Sequence, residues 1–183
     1  MSRLPPLQPE TMTEAQRAVH EEIRSGPHGK VVGPYPAWLN SPELARRARA
    51  LSEFIRFDSS LPAHLLELAI LITGRHWKAE FEYYAHAKLA AKAGLEASII
   101  AAIAAGRRPE FTAPEPEAVY ALCTELFETN RVSDECYQQA VDRFGVPAVV
   151  ELIGTIGYYS MVCMTLNTFQ VGLPPGESSP FPD

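Results

Sequence analysis

The chain has 183 residues, 46% of them hydrophobic, enough for one globular domain with a sizeable core and no reason to invoke a second. A formal net charge of −6 disfavours nucleic acid and anionic membrane surfaces as partners, because both attract an excess of Lys and Arg. The three cysteines, Cys123, Cys136 and Cys163, are odd in number and widely spaced, without CxxC or zinc-knuckle geometry, so they read as free thiols in a reducing compartment, the cytoplasm by default.

Residues 1–10 lack the apolar core of a signal peptide and read as an arm. Thr13-Glu-Ala-Gln16 forms a capping box that opens a helix to about Arg24. The stretch SGPHGKVVGPYPAW is too rich in glycine and proline for a regular helix and reads as a loop. It has neither the GxGxxG nor the GxxxxGK spacing of a phosphate loop. Its His28, Tyr35 and Trp38 are candidates to line a pocket, or else fasten the loop to the body. Ser41-Pro42 opens a second helix through Phe57, with Arg46, Arg47 and Arg49 mostly on its wet side. Arg56 leads into the next helix, where it can neutralise a buried glutamate, hold a substrate carboxylate, or simply be exposed.

From Leu61 to Gly94, ionisable residues sit inside strongly apolar helical sequence. Pro62 suits a first helical turn capped by Ser60 or Leu61, and Leu65 to Ile72 is apolar on every face except at Glu67. A carboxylate buried there must find a partner or hold its proton. Further on, Glu82 and His86 are i,i+4 neighbours, which puts a carboxylate and an imidazole on one helix face. The pair can orient a general base, or it can be a solvated surface pair. Gly94 closes this helix as a natural C′ residue.

Glu96 to Ala105 reads as a short apolar helix ending at Gly106, and Thr112-Ala-Pro-Glu115 as a capping box opening a helix to about Glu128. Ser133 caps one more, to Phe144-Gly145, and Pro147 begins the last helix, whose only charge is Glu151. That length admits a transmembrane reading, but the interspersed Thr, Ser and Asn residues and the lack of flanking positive charge favour a central or intersubunit helix. Met161 and Met164 would then pack, Gly154 and Gly157 allow close helix approach, and Tyr158 and Asn167 enter a pocket or the core. The proline-rich tail from Leu173 is an irregular arm. The expected fold is all-α, a compact bundle of about seven helices in one domain over residues 1–183, with arms at about 1–10 and 173–183.

The spacing of Glu67, Ala79, Glu82 and His86, followed by an alanine-rich helix and AAKAGL, resembles the carboxymuconolactone decarboxylase family, which includes the alkyl hydroperoxidase D-like proteins. In the peroxidase-like members, the positions held here by Ala79 and Glu82 are both cysteine and form a redox CxxC. The stretches GPYPAWLNSPELARRA, RFDSSLP and YYSMVCMTLNTFQVGLPPG are similar to a branch of the family that lacks that motif, and the likeness spans roughly residues 10 to 175.

The resemblance implies an AhpD-like helical protomer that assembles as a homo-trimer or homo-hexamer, and an enzyme acting on a small carboxylated or lactone substrate by decarboxylation, isomerisation or ring opening. No cofactor is implied. His86 would donate or accept the proton, Glu82 or Glu67 would orient it or act beside it, and His76 would supply a second proton-transfer group. Arg56, Tyr83, Tyr35 and Trp38 are the substrate-binding candidates. Thiol peroxidase activity is the alternative, although Ala79 and Glu82 provide no thiol. A non-catalytic small-molecule-binding protein is another. A metal site is disfavoured, because neither HExxH nor the Glu-x-x-His repeat of di-iron bundles is present.

Overall fold

Helices carry the described part of the chain, residues 2–5, 7–27 and 29–182 of the computed structural model, and no strand occurs among them. Eight α-helices form: α1 (Glu14–Ser25), α2 (Tyr35–Trp38), α3 (Pro42–Glu53), α4 (Ala63–His76), α5 (Glu80–Lys92), α6 (Ala97–Ala104), α7 (Pro114–Thr129) and α8 (Asp134–Phe169). The eighth is α2, a single turn inside the stretch expected to be loop. Pro34 and Pro36 already hold helical φ there, and Tyr35, Ala37 and Trp38 are buried, so packing completes the turn.

Several boundaries follow their local chemistry. Thr13 caps α1 through the full capping box with Gln16, and Ser133 caps α8 by accepting from the Cys136 amide. Gly94 and Gly106 take positive φ just past α5 and α6. Two expected caps differ. Pro62 is itself the N-cap of α4, and Thr112 donates to Glu96 instead of capping α7, which begins from Ala113. At Gly145, φ 79 and ψ 159 break α8 into two segments, and Pro147 starts the second.

Two apolar clusters meet along α4. One joins α4 to α5, α6, α7 and the middle of α8 through Leu65, Leu68, Leu71, Ile99, Leu122 and Leu152. The other joins α1, α2, α3 and the end of α8 through Ile23, Trp38, Ile55, Tyr158 and Leu166, with α4 contributing Ile70. Helix α8 is long and apolar enough to cross a membrane by length and composition, and 50% of its apolar window is buried within the fold. Its other face stays open: Val150 and Met164 are exposed, and a Cβ on Gly154 or Gly157 would meet nothing within 4 Å. Among the described residues, therefore, Met164 is only partly covered and no helix makes a close approach at the glycines. The tail folds back on its own chain, with Phe181 against Tyr83 and the Arg75 guanidinium.

Beyond α3 the chain widens into a π-helical turn, Phe54–Asp58, and then turns at Ser59-Ser60. Glu151 of α8 secures that turn. Its Oε2 accepts from Ser59 Oγ at 2.8 Å, Ser60 N at 2.8 Å and Ser60 Oγ at 2.9 Å. Burial works to raise the Glu151 pKa, but these three donors outweigh it and hold the carboxyl below its ordinary range. Glu151→Ala is expected to cost up to about 1 kcal/mol in chemical denaturation, from the loss of three hydrogen bonds at a turn that water still reaches. Because the folded pKa is the lower one, this contribution is present at neutral pH and fades as pH falls through it.

Candidate active site

Helices α4 and α5 are antiparallel neighbours joined by three residues, Trp77-Lys78-Ala79, in which Lys78 takes φ 50 and Asn167 Nδ2 donates to the Trp77 carbonyl at 2.7 Å. The turn places Glu67, in the middle of α4, against the second turn of α5. Glu82 occupies the third position of α5, where the helix dipole favours negative charge, and His86 follows one turn later. The result is a linear arrangement: His86 Nδ1 lies 2.7 Å from Glu67 Oε2, and His86 Nε2 lies 3.1 Å from Glu82 Oε1. All three residues are buried, which rules out the solvated surface pair. The Glu67 contact is an aligned hydrogen bond, whereas the Glu82 contact is an ion pair without that alignment, so Glu82 Oε1 has no hydrogen-bond donor among the described residues.

Burial alone would lower the His86 pKa, but the Glu82 charge and the hydrogen bond to Glu67 overcome it and raise it to about 9. At neutral pH the ring is therefore an imidazolium, with both N–H groups turned to carboxylates. The stability it supplies is fully present below its unfolded value of 6.5 and is lost as pH rises through about 9. Denaturation midpoints are expected to hold steady between pH 5 and 6.5 and to decline from there to pH 9, by an amount on the order of 3 kcal/mol.

Two clefts flank the triad. The larger, about 560 Å³, is lined by Glu82, His86, Tyr35, Tyr158, Tyr159 and Arg56, among others. The smaller, about 260 Å³, exposes Glu67. Arg56 and Leu89 line both. The Tyr159 ring stands 5.0 Å from that of His86, edge to face. Burial pushes the Tyr35, Tyr158 and Tyr159 hydroxyls upward, so all three stay protonated and can donate. Lys30 and Lys88 complete a cationic rim with Arg56.

Of the residues singled out from the sequence, Glu67, Glu82, His86, Arg56 and Tyr35 come together here. His76 does not: it ends α4 in a separate cleft, stacked on Phe127 at 4.0 Å. Tyr83 faces away from the triad and donates to the Ile100 carbonyl at 2.6 Å. Trp38 lies behind the cleft wall, its indole donating to Thr165 Oγ1 at 3.0 Å and its ring against Tyr35 and Tyr158. His28 falls outside the described residues. Tyr159 and Ser52 line the cleft without having been anticipated; the Tyr158-Tyr159 pair in the apolar second segment of α8 was the available signal for the first.

The helical order and the α4–α5 placement define an AhpD-like fold. No family model matches the sequence, and no curated protein matches it. Among solved structures, the chain is similar to a crystal structure of an alkylhydroperoxidase AhpD core, an uncharacterized peroxidase-related protein from Ralstonia eutropha JMP134. The TM-score is 0.76 at 11% sequence identity, covering 95% of this chain and 93% of that one. At that identity the likeness establishes the fold alone.

Proposed function

We propose that the chain is a carboxymuconolactone decarboxylase-like enzyme using cofactor-independent acid/base chemistry on a small carboxylated or lactone substrate, by decarboxylation, isomerisation or ring opening. The observation that carries this reading is the buried Glu67–His86–Glu82 array opening on a cleft whose rim is cationic. It also redistributes the roles. His86 has both ring nitrogens turned to carboxylates, so the group that meets substrate is Glu82, which lines the larger cleft. Glu82 takes a proton from substrate, the electron pair moves toward an adjacent carbonyl, and the tyrosine hydroxyls donate to the oxygen where charge develops. His86 holds Glu82 and balances its charge, while Glu67 fixes the ring. Arg56 holds the substrate carboxylate.

Thiol peroxidase chemistry is less well supported. It needs a thiolate of low pKa, whereas burial pushes Cys123 and Cys163 upward and Cys136 to about 11.

The test is NMR of the protein in D2O with a panel of lactone carboxylates and keto acids. Loss of carboxyl carbon, ring opening or deuterium uptake is expected for one class and should persist when all three cysteines are replaced. Turnover of none of them, or peroxide turnover that depends on the cysteines, would sink the reading.

The proposal includes a cytoplasmic homo-trimer or homo-hexamer. The exposed apolar face of α8, Val146, Val150, Ile153 and Met164, beside Phe54 and Phe57, supports the self-association in that proposal. Val150→Glu is expected to shift the mass measured by light scattering to that of a monomer; an unchanged mass would exclude this face.

A further inference from the structure

His76 brings a second constellation to notice. It lines a cleft of about 200 Å³ that shares no residue with the two clefts beside Glu82 and Glu67. Its apolar lining is Ile72, Ile103, Tyr120 and Phe127, the last with His76 stacked on it, their planes 12° apart. Burial lowers the His76 pKa, so the ring is neutral at physiological pH and serves as part of the plate.

Two guanidinium groups face this space. Arg75 lies with its guanidinium carbon 5.0 Å from the Phe181 ring centroid, and its buried Nε has no hydrogen-bond partner among the described residues. Arg107 is exposed at the mouth. Neither has a carboxylate at ion-pair distance among the described residues, whereas the adjacent Arg108 is paired with Glu117. One acidic residue, Glu128, lines the cleft, and it is exposed at the rim. Gly106 keeps the approach to Arg75 clear: with φ 67 it is already a position for glycine, and a Cβ there would come within 2.9 Å of Arg75 Nη2. In a chain of net charge −6, two uncompensated guanidiniums over an apolar floor are an arrangement that a ligand anion completes.

We infer that this cleft binds a small planar carboxylate, an aromatic acid of about the size of benzoate, with its carboxylate on Arg75 and Arg107 and its ring between the Ile72–Ile103 floor and the Phe127–His76 plate. The volume agrees: about 200 Å³ is the space of roughly seven waters at ~30 Å³ each, too small for a nucleotide or a peptide and adequate for a single substituted ring. The site stands independently of the acid/base reading and needs no turnover.

The experiment is a titration of the full chain with benzoate, followed by amide shifts in ¹⁵N-labelled protein, with neutral benzamide as the shape control. Saturable binding is expected, with the largest shifts at Gly106, Arg107 and Thr124 and weaker binding of benzamide. Arg107→Gln, an exposed change that leaves packing intact, should weaken benzoate about tenfold or more by removing a charge-assisted contact. Arg75→Lys, which keeps the charge but loses the fork, should weaken it as well. Shifts centred on Tyr35 and Lys88, an affinity indifferent to Arg107→Gln, or no saturation at millimolar benzoate would each overturn the assignment.

Discussion

Glu82→Gln is expected to leave a folded protein whose kcat on its substrate is lower by about 10²–10⁴-fold, the usual worth of a positioned general base. That corresponds to about 3–5 kcal/mol of transition-state stabilisation. KM should change little, because the carboxamide keeps the shape of the cleft floor and leaves Arg56, the proposed carboxylate anchor, in place. A merely structural role for Glu82 would not confine the loss to kcat in a protein of unchanged fold. The Glu82 charge is the strongest influence raising the His86 pKa, so the substitution should bring the imidazole titration, followed by ring proton shifts, well below 9. Glu67→Gln should also lower that titration, but with a smaller loss of kcat, since Glu67 reaches the ring from the far side and lines only the smaller cleft. A larger loss for Glu67→Gln than for Glu82→Gln would reverse the two roles and move the reacting face to that smaller cleft.

How much of this was readable beforehand depends on whether a signal was local. The capping box at Thr13, the stop at Gly94 and the break at Gly145 are decided within four residues, and each appears where the sequence places it. The Glu82–His86 pair is also local, because i,i+4 spacing fixes a shared face. Its connection to Glu67 depends on how α4 and α5 are joined. The spacing supplied the candidates, but the turn at Lys78, a non-glycine residue with positive φ, carries no marker in composition. His76 and Tyr83 mislead for a related reason. Both belong to the stretch that holds the triad, yet His76 sits at the end of α4 and Tyr83 points to α6, so nearness in sequence put them on the wrong side of their helices. Thr112 shows the limit of a capping pattern: α7 takes Ala113 as its N-cap, which leaves the Thr112 hydroxyl one residue outside the cap, donating to Glu96 sixteen residues away.

His86→Ala should be the most damaging substitution to stability, costing about 3–5 kcal/mol, because it leaves buried carboxylates without the cation between them. The pH dependence separates this from ordinary loss of packing. In the wild type, stability is expected to fall between pH 6.5 and 9, as the raised His86 pKa is crossed. The variant has no such group, so its urea midpoint should be flat across that window. Instead, two like charges sharing an unpaired buried space push one carboxyl upward in the folded state, and stability should climb as pH falls from about 7 to 4 and that carboxyl takes up a proton. Adding Glu82→Gln to His86→Ala should return part of the lost stability at neutral pH, since one of the opposed charges is gone, even though neither change restores a contact. A variant that retains the wild-type decline above pH 6.5, or a double variant less stable than His86→Ala alone, would show that the imidazolium is not what holds Glu67 and Glu82 in the core.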